Sequence, residues 1–265
     1  MSTTPRGPRR KIAVESLSHA FEIDGRTVPV LTDVTLAVGE GEFLAIVGPS
    51  GCGKSTLLNI VSGLLAPTTG RVTVDGAVVQ GITPRIGYMF ARDALLPWRT
   101  SVANVAFGLE LQGERPSARE AKARDLLRLT GLAGFEGSYP SQLSQGMRQR
   151  VSLARTLATN PDVLLMDEPF GALDAQTKLV LEEEFLKIWE RDRKTVIFVT
   201  HDLFEAIAMA DRVAVFSARP GRIKSLVAID LPRPRSVTAG RFGPHFQELY
   251  DRLWDDLRYE VVAVG

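Results

Sequence analysis

Cysteine is nearly absent from this chain of 265 residues: Cys52 is the one copy. A single thiol excludes an internal disulfide framework and points to a reducing compartment. Histidine is scarce too, with three copies, and long apolar runs are missing. Stretches such as VIFV and AIAMA fall far short of the ~20 residues that cross a bilayer. Neither sign of charge dominates, since 32 basic and 31 acidic residues leave a formal net charge of +1. That balance argues against a nucleic-acid wrapper. The opening MSTTPRGPRRK is basic, yet no apolar run follows it, so the middle region of a secretory signal is lacking. These absences lead us to expect a cytoplasmic chain that works at a membrane only through a partner. What is present, 45% hydrophobic and 24% charged residues, suits one large domain or a domain with an insertion.

Residues 1–10 read as a flexible basic tail. A β-rich opening follows, in which KIAVESL and VLTDVTLAV alternate as strands around an Asp24-Gly25 turn. EFLAIVG is almost wholly apolar, as expected of a strand buried on both faces of a parallel sheet. GRVTVDGAVV adds a hairpin at Asp75-Gly76. From about Phe90 to Asn160 the period becomes helical; DVLLMD, TVIFVT, RVAVFS and RIKSLVAI then alternate with helices. The expectation is an α/β fold: a mainly parallel sheet, an N-terminal antiparallel β subdomain and a helical subdomain inserted over about 91–160. A last helix over 246–259 carries Phe246, Leu249, Tyr250, Leu253, Trp254 and Leu257 on one stripe.

GPSGCGKST, residues 48–56, fits the G-x-x-x-x-G-K-[ST] pattern between a buried strand and a helix. Gly48, Gly51 and Gly53 free the backbone, so that N–H groups along Ser50, Cys52 and Thr56, in the loop that Pro49 opens with Gly48, converge on phosphate oxygens. The helix that follows aims its positive end at the same anion. Lys54 reaches the β/γ-phosphates, and the Ser55 hydroxyl suits Mg²⁺. Such a pattern arises by chance in roughly one chain in a hundred, and its placement lowers that further. Cys52 sits at a free position in the loop, as a small filler. The loop alone does not separate kinases, GTPases, motors and transporters.

VLLMDEP supplies an acidic pair at a strand tip: Asp167 for Mg²⁺ and Glu168 as general base toward an attacking water. TVIFVTHD supplies His201 at another tip, within reach of a γ-phosphate, where ligands gather in parallel sheets. Taken alone, each is also an ordinary polar turn after a strand.

With LSQGMRQRVSLARTL, residues 143–157, the chain resembles the ATP-binding subunits of ABC transporters along nearly its whole length. The order is diagnostic: phosphate loop, this signature, LLMDEP, GALD, THD. The resemblance implies a P-loop (RecA-like) core over 11–230, with ATP and Mg²⁺ bound between two subunits arranged head to tail. Ser144 and Gly146 would then face the ATP held by a second ATP-binding subunit, taken as another copy of this chain. Ala172, Leu173 and Asp174 would run along the seam. Phe21 stands where the family stacks adenine, although a core strand residue is the other reading of it. Two positions depart from the family pattern: Gln145 replaces a glycine of LSGGQ, with Met147 at its fifth place, and Ala91 replaces the glutamine that touches Mg²⁺. An alanine side chain neither donates nor accepts, so that link would pass through water or Arg92, or be missing. We expect a working but retuned hydrolysis cycle.

ALLPWRTSVANVAFGL, SARPGRI and DLPRPR are similar to the importers of nitrate, sulfonates and taurine. In that subgroup Leu95, Leu96 and Trp98 would receive a helix of an integral membrane permease, unless they fill the core. An extracytoplasmic binding protein would act only indirectly, nucleic acid would play no part, and the chain would sit peripherally on the cytoplasmic face. The tail over 231–265 is too short for a regulatory β-domain and is expected as a helical extension packed on the core or on the dimer mate. Two other readings are a clamp-like ABC ATPase and a regulator with impaired hydrolysis. The first would need a coiled coil between Lys54 and Ser144, and the second sits poorly with Glu168 and His201 both present.

Overall fold

The computed structural model describes residues 9–171, 173–238 and 243–262, so most of the basic tail expected over 1–10, and Ala172, lie outside the described residues. In chain order the elements begin with β1 (Arg10–Ile23), β2 (Arg26–Gly39), β3 (Phe43–Val47) and α1 (Lys54–Val61). They continue as β4 (Thr69–Val74), β5 (Ala77–Val78), β6 (Ile86–Met89), α2 (Ser101–Leu111), α3 (Pro116–Leu129) and α4 (Gln145–Ala158). The last are β7 (Val163–Asp167), α5 (Ala175–Asp192), β8 (Thr195–Val199), α6 (Leu203–Met209), β9 (Arg212–Phe216), β10 (Ile223–Ala228) and α7 (Pro244–Val262).

Two sheets result. One is antiparallel, in the order β2-β1-β4-β5. Its hairpins close at Asp24-Gly25 and Asp75-Gly76, where all four residues take the positive φ that tight hairpin turns demand. The other runs β10-β9-β3-β8-β7-β6, parallel except for β10 on its edge.

Every residue of β3, β7 and β8 is buried, which is why those segments read as unbroken apolar runs. Alternate side chains of β3 serve different layers. Phe43, Ala45 and Val47 pack with α5, α6 and α7 around Phe185, Trp189 and Phe198. Leu44 and Ile46 pack with Leu57 and Leu58 of α1 and with Ile12, Val14 and Val34 of the antiparallel sheet. The phosphate loop is thus the link between a strand buried on both sides and a helix clamped between two sheets.

Helices α2, α3 and α4 intervene between β6 and β7 and share a separate core around Val105, Leu109, Leu127 and Val151. Two details differ from the sequence reading. The four-residue strand β6 precedes the helical stretch, and residues 90–100 form an irregular connection rather than helix. Glycine permits β6 to pack so closely: a Cβ on Gly87 would lie 2.7 Å from Pro161 Cγ. On α7, Phe246, Leu249, Leu253 and Leu257 are buried against the core of this chain, whereas Trp254 is 46% exposed. Leu253 takes the inward position, and a helix turns its next residue by about 100°.

Candidate functional site

Lys54, only 7% exposed, opens α1, and its Nζ donates to the carbonyls of Gly48 and Pro49, both at 2.8 Å. The loop therefore wraps around an ammonium that carbonyls hold in place without neutralising it, leaving its charge for an anion. Gly53 supplies the turn into the helix at φ 106°, and a Cβ there would lie 2.8 Å from Leu31 Cδ2. No side chain caps α1, which leaves its first N–H groups for a ligand. A cavity of about 340 Å³ opens in front, lined by Phe21, Val30, Ser50, Gly51, Gly53, Lys54, Ser55, Thr56, Glu168 and Arg219. Gly48, Pro49 and Cys52 stand behind this lining. Cys52 is buried, and burial pushes its thiol up, which suits the filler reading.

The acidic pair arrives from the neighbouring strands. Asp167 ends β7, and Val199, its register partner, ends β8. Burial pushes the Asp167 carboxyl above the usual carboxylate range, while a hydrogen bond from the Ser55 hydroxyl pulls it down. A hydroxyl and a carboxylate side by side form a hard oxygen pair that fits Mg²⁺. Among the described residues no cluster of three His, Cys, Asp or Glu side chains could hold a metal by itself, so phosphate and water would complete such a shell.

Glu168 takes φ 46°, a left-handed conformation for a residue with a Cβ. Two bonds hold it there: its N–H donates to Val199 O at 2.9 Å, and its carbonyl accepts from Gly171 N at 3.1 Å. Because β7 and β8 are adjacent, His201 lands beside it, with Nδ1 3.2 Å from Glu168 Oε2. Gln149, buried on α4, donates to Pro169 O at 2.7 Å and ties the helical insert to this turn.

Ser144 and Gly146 lie elsewhere. Ser144 caps α4, its Oγ accepting from Met147 N at 3.2 Å, and it is exposed outside the cavity lining. Gly146 backs onto Thr177 and Leu173, since a Cβ would approach their methyl groups to 3.3 and 3.4 Å. Asp174 caps α5 through Thr177 N at 3.0 Å. Ala91 and Arg92 are exposed. The connection carrying them is strapped to α4: Arg148 Nε donates to Asp93 Oδ2, and Arg155 donates to the carbonyls of Asp93 and Ala94, all at 2.8 Å. Leu95 and Leu96 are half-buried, whereas Trp98 is 71% exposed and so is not core filling.

Phe21 is 37% exposed and lines the cavity, which removes the core-strand reading. Val30, Arg219 and Gln149 were not singled out by sequence reasoning. The only trace of Arg219 was its place in SARPGRI.

The model of the ABC transporter family matches residues 31–171. An uncharacterized ABC transporter ATP-binding protein of Methanocaldococcus jannaschii is 50% identical over 247 residues, covering 93% of this chain and 92% of that protein. The taurine import ATP-binding protein TauB of Pseudomonas entomophila is 50% identical over 233 residues, covering 86% of this chain and 90% of the relative. Among solved structures, a dimeric post-hydrolysis state of the ATP-binding cassette MJ0796 bound to ADP and Pi superposes with a TM-score of 0.76 at 32% identity, covering 83% of this chain and all of that one. With a phosphate loop, an acidic strand tip and these matches, the chain belongs to the ABC transporter family as an ATP-binding subunit that hydrolyses ATP.

Proposed function

We propose that this chain powers the import of a small organic or inorganic anion of the nitrate, sulfonate or taurine kind, acting from the cytoplasmic face of the membrane on a separate permease. One observation carries the reading. The phosphate loop and Glu168 line one cavity, with Asp167 next to Glu168 in the chain and His201 in contact with it, while exposed Ser144 and half-buried Gly146 lie outside that lining. A second copy placed head to tail brings these two residues over the cavity, and the dimeric cassette with a TM-score of 0.76 and the relative named for taurine import support this arrangement and direction. Among the described residues no helix is long and apolar enough to cross a membrane, which agrees with a separate permease. The exposed Trp98 with half-buried Leu95 and Leu96 forms the surface that receives it.

In this mechanism Lys54 and the first N–H groups of α1 hold the β/γ-phosphates and oppose the charge that builds on them. Ser55 and Asp167 would hold Mg²⁺, which, once bound, supplies further charge neutralisation on the phosphate oxygens. Glu168 accepts the proton of the attacking water. His201 orients that carboxylate through the 3.2 Å contact and reaches the γ-phosphate. Ser144 and Gly146 of the facing copy close the site, and an extracytoplasmic binding protein selects the cargo without touching this chain.

The test is complementation of a deletion strain supplied with taurine, an alkylsulfonate or nitrate as its only source of sulfur or nitrogen. Uptake and growth should return with the unaltered chain and not with Lys54→Ala. If deletion changes the uptake of none of these anions, the importer reading fails.

A further inference from the structure

The loop from Ser217 to Arg222 joins β9 to β10 and carries Arg219 into the cavity lining. It is fixed on three sides. Toward β2, Gly221 N donates to Val30 O at 2.8 Å and Thr32 N donates to Gly221 O at 3.0 Å. Toward the phosphate loop, Gly221 packs so closely that a Cβ would lie 2.1 Å from Cys52 O. Toward the C-terminal helix, Glu260 Oε2 accepts from Ala218 N at 2.8 Å, while Glu260 Oε1 pairs with Lys224 Nζ at 3.0 Å. These two contacts hold the Glu260 carboxyl below its usual range, the Ala218 amide first and Lys224 second. Arg219 itself donates from Nε to Pro29 O at 3.3 Å, and Pro29 is the register partner of Ala20, the neighbour of Phe21. A guanidinium is thereby tied to the antiparallel sheet that carries Phe21, and both side chains line the same cavity.

We infer that Arg219 is a nucleotide-contacting residue at the base and sugar end of the ATP cavity, and that Glu260 of α7 is the positioning residue that holds its loop. The proposal rests on the nucleotide cavity described above and assigns α7 a role beyond covering the core. A planar cation lining the same cavity as Phe21 suits an aromatic base: it can stack on the base's face or donate to ring nitrogens and sugar hydroxyls. The terminal phosphates already have Lys54 and the loop amides. Loss of Arg219 should therefore weaken the binding of ATP and leave that of a bare triphosphate alone.

The experiment measures equilibrium displacement of a fluorescent ATP analogue from the full chain by ATP and by inorganic tripolyphosphate. Arg219→Ala should weaken ATP by about tenfold and leave tripolyphosphate unchanged, with Arg219→Lys in between. Glu260→Gln, which keeps the shape but loses the charge, should weaken ATP by about threefold, with no further loss when added to Arg219→Ala. Unchanged ATP affinity in Arg219→Ala would overturn the contact, as would an equal loss of tripolyphosphate. Additive losses in the double variant would overturn the role of Glu260. Failure of the unaltered chain to bind ATP would remove the cavity reading itself, a result distinguishable from all of these.

Discussion

The two parts of this chain that we propose meet ATP are built in opposite styles. The phosphate loop and strand tips are wired inward: Lys54 is buried and doubly bonded, Asp167 is buried beside Ser55, and Glu168 is held in a strained conformation by Val199. The signature end is turned outward, with Ser144 exposed at the start of α4 and, among the described residues, bonded only to its own helix. One region is built as a phosphate grip, whereas the other lies outside its cavity lining. The contrast fits the proposal that binding and hydrolysis are divided between a walled pocket and a facing copy.

Substitutions can break or sharpen this division. The largest effect should come from Ser144→Arg, which should lower ATP turnover by about a hundredfold while the isolated chain still binds ATP. Parallel loss of binding, read by nucleotide titration, would show that the two regions are one. Next, Leu96→Asp with Trp98→Ala should remove the chain from membranes that contain its permease and spare nucleotide affinity. Co-sedimentation checks the first and titration the second; loss of both would return these side chains to the core. Smaller again is Ala91→Gln: with permease present, the unaltered chain should already turn over ATP, and the variant should shift that rate by less than about tenfold. Turnover found in the variant alone would contradict a working cycle.

The smallest effect concerns the sheet that carries Phe21. Asp75 bonds Lys11 Nζ at 2.9 Å and also pairs with Arg85, with Arg9 and Asp162 nearby; the Lys11 hydrogen bond is the main reason its carboxyl lies below the usual range. A depressed carboxylate adds stability that is fully present above its unfolded value, about pH 4, and fades as pH falls through the folded value. Lys11→Met should cost about 1–2 kcal/mol at pH 7 and progressively less toward pH 3, measured by denaturant unfolding. An undiminished gap at pH 3 would contradict the assignment.

Much of this was legible in the sequence because the signals are local. A buried strand, three glycines and Lys54 occupy consecutive positions, and each strand tip announces its own residues. Phe21 was ambiguous because strand parity fails around it: β1 slips register between Leu17 and His19 and again between His19 and Ala20, so alternation cannot say which face Phe21 takes. Arg219 was invisible for a different reason. Its anchor, Pro29 O, is 190 positions away, and only the folded sheets bring the two together. Gln149 and the Arg148–Asp93 strap likewise depend on packing between the helical insert and the core.

The most direct test of the divided site is light scattering on a Glu168→Gln variant, which should bind ATP but cleave it about 10²–10⁴-fold more slowly. The account predicts that its mass doubles when ATP is added and that introducing Ser144→Arg returns it to a monomer. A strictly monomeric chain that holds ATP without pairing, or cleaves it at full rate in the Glu168 form, would contradict it.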